Sequence, residues 1–349
     1  MRGEYKVRGG KLVAVELQDV DGVLTDVHIS GDFFLEPDSA LETLNSAVSG
    51  MPSSASVQAI ATAIDAAVGP DVHLIGFSSE AVGIAVRRAL GHATSWGDHT
   101  FDVIDAVTLP PAMHVALDQV ICEEVGAGRR NPTLRLWDWD SPLVVIGSFQ
   151  SVRNEIDPEG AERHRINVVR RISGGGAMFM EPGNCITYSL VVPGSLVEGL
   201  SFEQSYAFLD DWVLGALAEV GINARYVPLN DIASDKGKIA GAAQRRVTGG
   251  VVVHHVTMAY DIDADKMLEV LRIGREKLRG KGVTSAKKRV DPLRRQTGVS
   301  RAEIWETMMT TFEERYGARR VELDEATREE AEQLARTKFT TPEWTARVP

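Results

Sequence analysis

RRISGGGAMF, residues 170–179, joins two adjacent guanidinium groups to three glycines between strand-like flanks. Glycine reaches backbone conformations barred to other residues, its N–H can approach phosphate oxygens, and arginine is a planar charged fork. The stretch therefore reads as an anion-binding loop, with a purely steric turn between two strands as the alternative. A dinucleotide fingerprint would set such glycines between a parallel strand and a helix, with an acidic residue about 20 positions on. Here they run into more strand, which argues against a Rossmann fold.

On either side of the loop the pattern is strand-rich. Residues 133–139 and 143–146 read as neighbouring strands, and 167–172 and 186–192 flank the glycines. Met113, Leu117, Val120, Ile121 and Val125 share one face of a helix that ends at Gly126. A long helix is expected over 202–220, a hairpin through Thr248-Gly249-Gly250, and helices over 302–316 and 325–337. These elements predict an α+β domain over 112–349 with a mostly antiparallel sheet.

A smaller α+β domain is expected over 1–92. KLVAVEL (11–17) and VLTDVHI (23–29) alternate around Asp21-Gly22, a hairpin signal. Pro37 opens a helical pattern through Leu41, Leu44 and Val48, and further helices are expected over 57–68 and 79–90, with VHLIGF (72–77) as a buried strand between them. Residues 93–111 lose periodicity and end in Pro110-Pro111, so they read as a linker.

With 349 residues, 44% of them apolar and 25% charged, the chain has the composition of a two-domain soluble protein. No apolar run approaches the ~20 residues of a membrane helix, and MRGEYKVRGG lacks a signal-peptide core, so the expected location is cytoplasmic. Cys122 and Cys185 are too few for a disulfide framework and have no zinc-site spacing, so no metal is expected from them. A net charge of -11 argues against a broad nucleic-acid surface. Arg245-Arg246 and the run 281–289 are local basic patches, or simply solvated faces.

PLNDIASDKGKIAGAAQRR (228–246) supplies what the loop lacks. Lys238 precedes the small residues Ala240, Gly241, Ala242 and Ala243, which leave its ammonium room to reach a ligand across the sheet. An exposed strand lysine is the plainer alternative.

RRISGGGAMF followed by PGN (182–184), NDI (230–232) with GKIAGAAQ (237–244), HHVTM (254–258) with YDID (260–263), KGVTSAKKRV (281–290) and TPEW (341–344) resembles the lipoate-protein ligase A family in order and spacing. The likeness runs from about Pro111 to the end. GGKLVAVEL (9–17) and HISGDFFLEP (28–37) resemble the family's small accessory domain, here in front of the catalytic domain, where several members carry it behind or on a separate chain.

The resemblance implies a fold like the catalytic domains of biotin protein ligase and class II aminoacyl-tRNA synthetases. It implies that lipoate or octanoate and ATP give an acyl-adenylate, which a lysine of a lipoyl domain then attacks. Arg171 and the backbone of Gly176, Ala177, Met178 and Phe179 are expected at the nucleotide phosphates. Lys238 is expected between the acyl carboxyl and the α-phosphate, and Gly175 and His255 beside the acyl group. Arg170, Ser173, Asn184, Asn230 and Asp231 are secondary candidates with ordinary turn or capping alternatives. Mg2+ is expected with ATP, without assigned ligands. The implied partners are lipoyl domains of 2-oxo-acid dehydrogenase acyltransferases or the glycine cleavage H protein, with no nucleic acid and no membrane. The accessory domain is implied to act as a cap that assists adenylation.

Three positions depart from the family: Val256 stands where it usually has glycine, and Met180-Glu181 replaces a common His-Asp. The alternatives are an octanoyltransferase or amidotransferase using a cysteine thioester, a biotin ligase, and a non-catalytic acyl-adenylate binder. In the transferases a cysteine lies just before the lysine segment, where this chain has PLNDI.

Overall fold

The computed structural model describes residues 1–7, 9–272 and 291–348. The chain divides into two compact units, Met1–Asp98 with Gly194–Ser205, and His99–Pro193 with Tyr206–Pro349. The basic run 281–289 lies outside the described residues.

In the first unit β1 (Arg2–Lys6), β2 (Leu12–Val20) and β3 (Val23–Gly31) form an antiparallel sheet. Its tight turn places Asp21 and Gly22 at φ 52° and 82°, the left-handed pair that matches the twist of a hairpin. Helices α1 (Ala40–Val48), α2 (Val57–Ala67) and α3 (Ser79–Leu90) cover the sheet with Leu44, Ile60, Ile64 and Val82 against Val13, Val15 and Leu24. Helix α1 starts three residues after Pro37, whose carbonyl accepts from Ala40 in a preceding turn. The VHLIGF segment supplies only β5 (His73–Ile75), which pairs with β4 (Phe34–Glu36) and is half exposed, not a buried strand.

Asp102–Ile104 (β6), in the expected linker, belongs to the large sheet of the second unit. Three residues are too few to show a period, and the pairing of β6 with distant strands determines its place. That sheet runs β13 (Arg225–Val227), β14 (Asp231–Ser234), β15 (Gly237–Val247), β16 (Val251–Ala259), β12 (Cys185–Pro193), β8 (Thr133–Trp139), β6 and β17 (Arg319–Val321), with the two-residue β7 (Thr108–Leu109) beside β8. Pairing is antiparallel from β13 through β8 and parallel from β8 to β17. The fold is α+β with a mostly antiparallel sheet.

Helix α4 (Pro111–Gly126) begins on the double proline, and nearly its whole circumference is buried. It packs against Trp137, Val145, Val191 and Val253. The long helix α5 (Phe202–Glu219) contributes buried Asp210 and Trp212; α6 (Arg301–Tyr316) starts with a Ser300/Glu303 capping box, and α7 (Glu325–Leu334) runs on into a π turn. Among the described residues no helix is long and apolar enough to cross a membrane.

A separate three-stranded sheet positions the glycines. In it β9 (Leu143–Ile146) is central, with β10 (Asn167–Arg170) parallel on one side and β11 (Met178–Met180) antiparallel on the other. The loop between β10 and β11 must therefore cross the end of β9. Strand β11, not the segment over 186–192, receives the chain after the glycines; its three residues precede Pro182-Gly183 and are too short to register as a period.

Candidate active site

At the crossing, Gly147 follows β9 so closely beneath the loop that a Cβ there would stand 2.2 Å from the carbonyl oxygen of Gly175. Gly175 itself has φ +91°, where a side chain would be strained and its Cβ would meet the Arg171 guanidinium at 2.9 Å. Arg171 is buried, and burial lowers its pKa to about 10. Its Nη2 donates to the carbonyls of Gly174 (2.6 Å) and Gly176 (2.9 Å), its Nη1 to Val145 O (3.2 Å) and its Nε to Ser173 Oγ (3.0 Å). The glycine carbonyls are thus tied to Arg171. Among the described residues no hydrogen bond engages the N–H groups of Gly174, Gly175 or Gly176, which leaves these donors for an anion.

Two cavities adjoin at this loop. One, of about 260 Å³, is lined by Trp137, Val145, Met180, Thr187 and His255 at its inner wall and by Arg171 and Gly176 at the loop. The other, of about 640 Å³, is lined by Phe179, Ala259, Asp261, Asp263 and Arg295. Ala177, Met178, Lys238, Gly241 and Thr257 border both. In the β14–β15 hairpin Lys238 is paired with Ala233 and its side chain reaches along the hairpin to Asp231, with Nζ 2.7 Å from the carboxylate. Gly241 keeps the space open: a Cβ there would meet the Lys238 Nζ at 3.3 Å. Asn230 anchors the approach to the hairpin by donating from Nδ2 to Ala242 O at 2.6 Å.

Behind the smaller cavity lies a buried polar chain. Arg135 donates to Asp118 (2.7 Å) and to His114 Nδ1 (3.0 Å); His255 Nδ1 lies 3.1 Å from the other Asp118 oxygen, and His255 Nε2 lies 2.5 Å from Ser173 Oγ. Burial disfavours a charged Asp118, yet the hydrogen bond from His255 and the Arg135 charge outweigh it and hold the carboxyl below its ordinary range. Burial lowers the pKa of His255, aided by the positive charge of Arg171, although Asp118 acts the other way. Burial also takes His114 to about 3.

The expected residues separate by position. Lys238, Arg171, Gly176, Ala177, Met178, His255 and Asn230 line the smaller cavity or both, Phe179 lines the larger, Asp231 holds Lys238, and Ser173 lies behind the wall on His255. Gly175 shapes the crossing and lines neither cavity. Arg170 is buried elsewhere, bonding the carbonyls of Gly147, Gln150 and Thr345, and Asn184 closes the turn after β11 by accepting from Glu181 N at 2.8 Å. Alternation along β16 sends His254 to the opposite face, where it meets Asp210 at 2.5 Å. Of the departures, Met180 forms cavity wall beneath the Thr187–Thr257 hydroxyl pair, and Glu181 pairs with Lys266.

Trp137, Thr187, Thr257 and Asp118 were not anticipated. The two threonines had a signal: they share the period-2 face of β16 and β12 with His255 and stand directly opposite each other. Cys122 and Cys185 are buried and line neither cavity, and burial pushes both thiols up. No group of three or more His, Cys, Asp or Glu is placed to hold a metal among the described residues.

Comparison with known proteins agrees with this architecture. An archaeal bi-partite lipoate protein ligase from Thermoplasma acidophilum superposes with a TM-score of 0.63 at 26% identity, covering 72% of this chain and 98% of that one. A lipoate-protein ligase A bound with ATP shares the fold, with a TM-score of 0.60 at 24% identity over 71% of this chain and 98% of that one. Similar curated sequences are the octanoyltransferase LipM of Halalkalibacterium halodurans, 26% identical over 71% of this chain and 99% of that protein, and the lipoate-protein ligase LplJ of Bacillus subtilis, 34% identical over 43% and 44%. The family profile of the lipoyl protein ligase A/B catalytic domain matches residues 110–313. This enzyme belongs to that family.

Proposed function

We propose that the chain is an ATP-dependent lipoate-protein ligase. The observation that carries the reading is Lys238 on the shared border of two cavities, one small and largely apolar at its inner wall, the other more than twice its volume. The acyl chain would occupy the smaller and the nucleotide the larger. The carboxylate oxygen attacks the α-phosphorus, the bond to the β-phosphate bridge oxygen breaks, and pyrophosphate leaves. The acceptor lysine amine then attacks the acyl carbon, the acyl–phosphate C–O bond breaks, and AMP departs as the amine loses a proton. Lys238 offsets the repulsion between carboxylate and phosphate in the first step and polarises the carbonyl in the second; the glycine-loop N–H groups stabilise phosphoryl charge. Mg2+ would neutralise ATP, but no metal-holding cluster stands among the described residues, so no step is assigned to it.

The second reading is octanoyl transfer through a cysteine thioester, favoured by the octanoyltransferases among the relatives. Against it, both cysteines of the chain are buried away from the cavities. We infer that the acceptor is a lipoyl domain of the acyltransferase or H-protein class. We further propose that the first unit is the family's accessory domain, assisting adenylation, and that the chain acts in the cytoplasm, where its unpaired thiols suit a reducing compartment. The test is mass spectrometry of a purified lipoyl domain after incubation with the protein, lipoate or octanoate, with and without ATP. Acylation that requires ATP and survives the double substitution Cys122→Ser/Cys185→Ser is expected. Acylation without ATP, lost in that double variant, would establish the cysteine route instead.

A further inference from the structure

We propose that Asp118 is a positioning residue of the glycine loop, acting through His255 and Ser173. The argument follows donors and acceptors. An ionised Asp118 only accepts, so the His255 Nδ1 that faces its carboxylate at 3.1 Å carries the ring hydrogen. Neutral His255 then presents a bare Nε2, which accepts the Ser173 hydroxyl at 2.5 Å. The serine oxygen is left to accept from Arg171 Nε at 3.0 Å, and the same guanidinium holds the carbonyls of Gly174 and Gly176. Each group along Asp118, His255, Ser173 and Arg171 has one hydrogen-bond direction available, and the chain ends on the carbonyls whose orientation leaves the glycine N–H groups unengaged.

The groups that face His255 are Asp118 from α4, the Trp137 ring from β8, Arg171 from the loop and His254 on its own strand, while Arg135 from β8 stands behind Asp118 and carries His114 in turn. Arg135 anchors the far side of Asp118 and so fixes which carboxylate oxygen meets His255. Protonating His255 turns Nε2 into a donor. Ser173 Oγ would then receive hydrogens from both sides while its own loses its acceptor, and a second positive charge would stand beside Arg171. The loop should loosen at a pH below 6.5, the ordinary imidazole value, because burial holds the His255 pKa under it.

This proposal rests on the ligase reading for its effect on rate but not for its structural content. The experiment therefore has two readouts on the full chain: backbone hydrogen exchange of the 171–177 segment without substrate, and acyl-adenylate formation, each followed against pH. Ser173→Ala and Asp118→Asn are expected to raise exchange in this segment and to slow adenylation ~10- to 100-fold, the scale of a small misplacement of reacting groups. His255→Gln keeps an acceptor for Ser173 without a titrating ring, so it should remove the acidic limb of both readouts while retaining more activity than His255→Ala. Asp118→Asn removes the charge that favours the imidazolium and should move the acidic limb to lower pH. Should Asp118→Asn not fold, Ser173→Ala and His255→Gln decide the matter. Wild-type exchange in Ser173→Ala together with an unmoved acidic limb in His255→Gln would overturn the proposal. Altered exchange in a chain that forms no adenylate would leave the positioning role standing and remove the ligase reading.

Discussion

Among the described residues, Lys238 is the only lysine bordering either cavity. Truncation at Lys238→Ala should lower acyl-adenylate formation on the order of 10²- to 10³-fold, the scale of losing one fixed electrostatic stabiliser, while thermal unfolding stays close to wild type because the side chain is partly exposed. Near-wild-type adenylation by that variant would contradict its role. Lys238, His255 and the loop glycines could be recognised in sequence because they sit in short contiguous motifs. Asp118 could not: it lies two turns along α4 among Met113, Leu117 and Ile121, and its partner His255 is 137 residues away, so only the packing of α4 on the sheet brings them together. Arg171 was legible as an important residue, but not in how it acts, since nothing local shows that its guanidinium turns back onto its own loop.

At the level of elements, the three-stranded sheet explains Gly175 better than ligand contact alone, whereas a Cβ at Gly174 or Gly176 would meet nothing closer than 3.7 Å. A chain crossing from one side of β9 to the other needs close backbone approach at Gly147 and a left-handed residue at Gly175. Gly147→Ala should therefore destabilise by about 1–3 kcal/mol through overpacking and slow adenylation by displacing the loop, although Gly147 lines neither cavity. Thermal unfolding measured beside adenylation rate checks both effects, and an unperturbed variant would show that the loop crosses β9 less tightly. Long elements with clear periods, α3, α4, β12 and β16 among them, could be read from sequence. The three-residue strands β6, β11 and β17 could not, since their existence depends on partners distant in the chain.

For the molecule as a whole, the boundary between units is not a single cut. Gly194–Ser205 belongs to the first unit, where Arg88 donates to the carbonyls of Leu196 (3.2 Å) and Glu198 (2.9 Å) and Leu196 and Val197 are fully buried. Deleting residues 1–98 leaves that excursion without its covering. The truncated chain should unfold at lower temperature, since exposing a buried Leu or Val costs about 1.5–3 kcal/mol. It should also lose acyl-adenylate synthesis if the accessory reading holds; unchanged synthesis would sink that reading. The boundary at Asp98 falls within the stretch 93–111, whereas the excursion over 194–205 was not foreseen because a segment leaving one unit and returning to it has no compositional mark.

On the proposed ligase reading, the border shared by the two cavities also bears on what happens between the two half-reactions. An acyl-adenylate spanning both would be gripped at its tail by Trp137 and Met180, at its nucleotide by the larger cavity, and at its phosphate by Lys238 and the loop. Either substrate alone has roughly half of those contacts. The intermediate should thus be the slowest species to escape, which limits leakage of a water-sensitive anhydride during the wait for a folded acceptor.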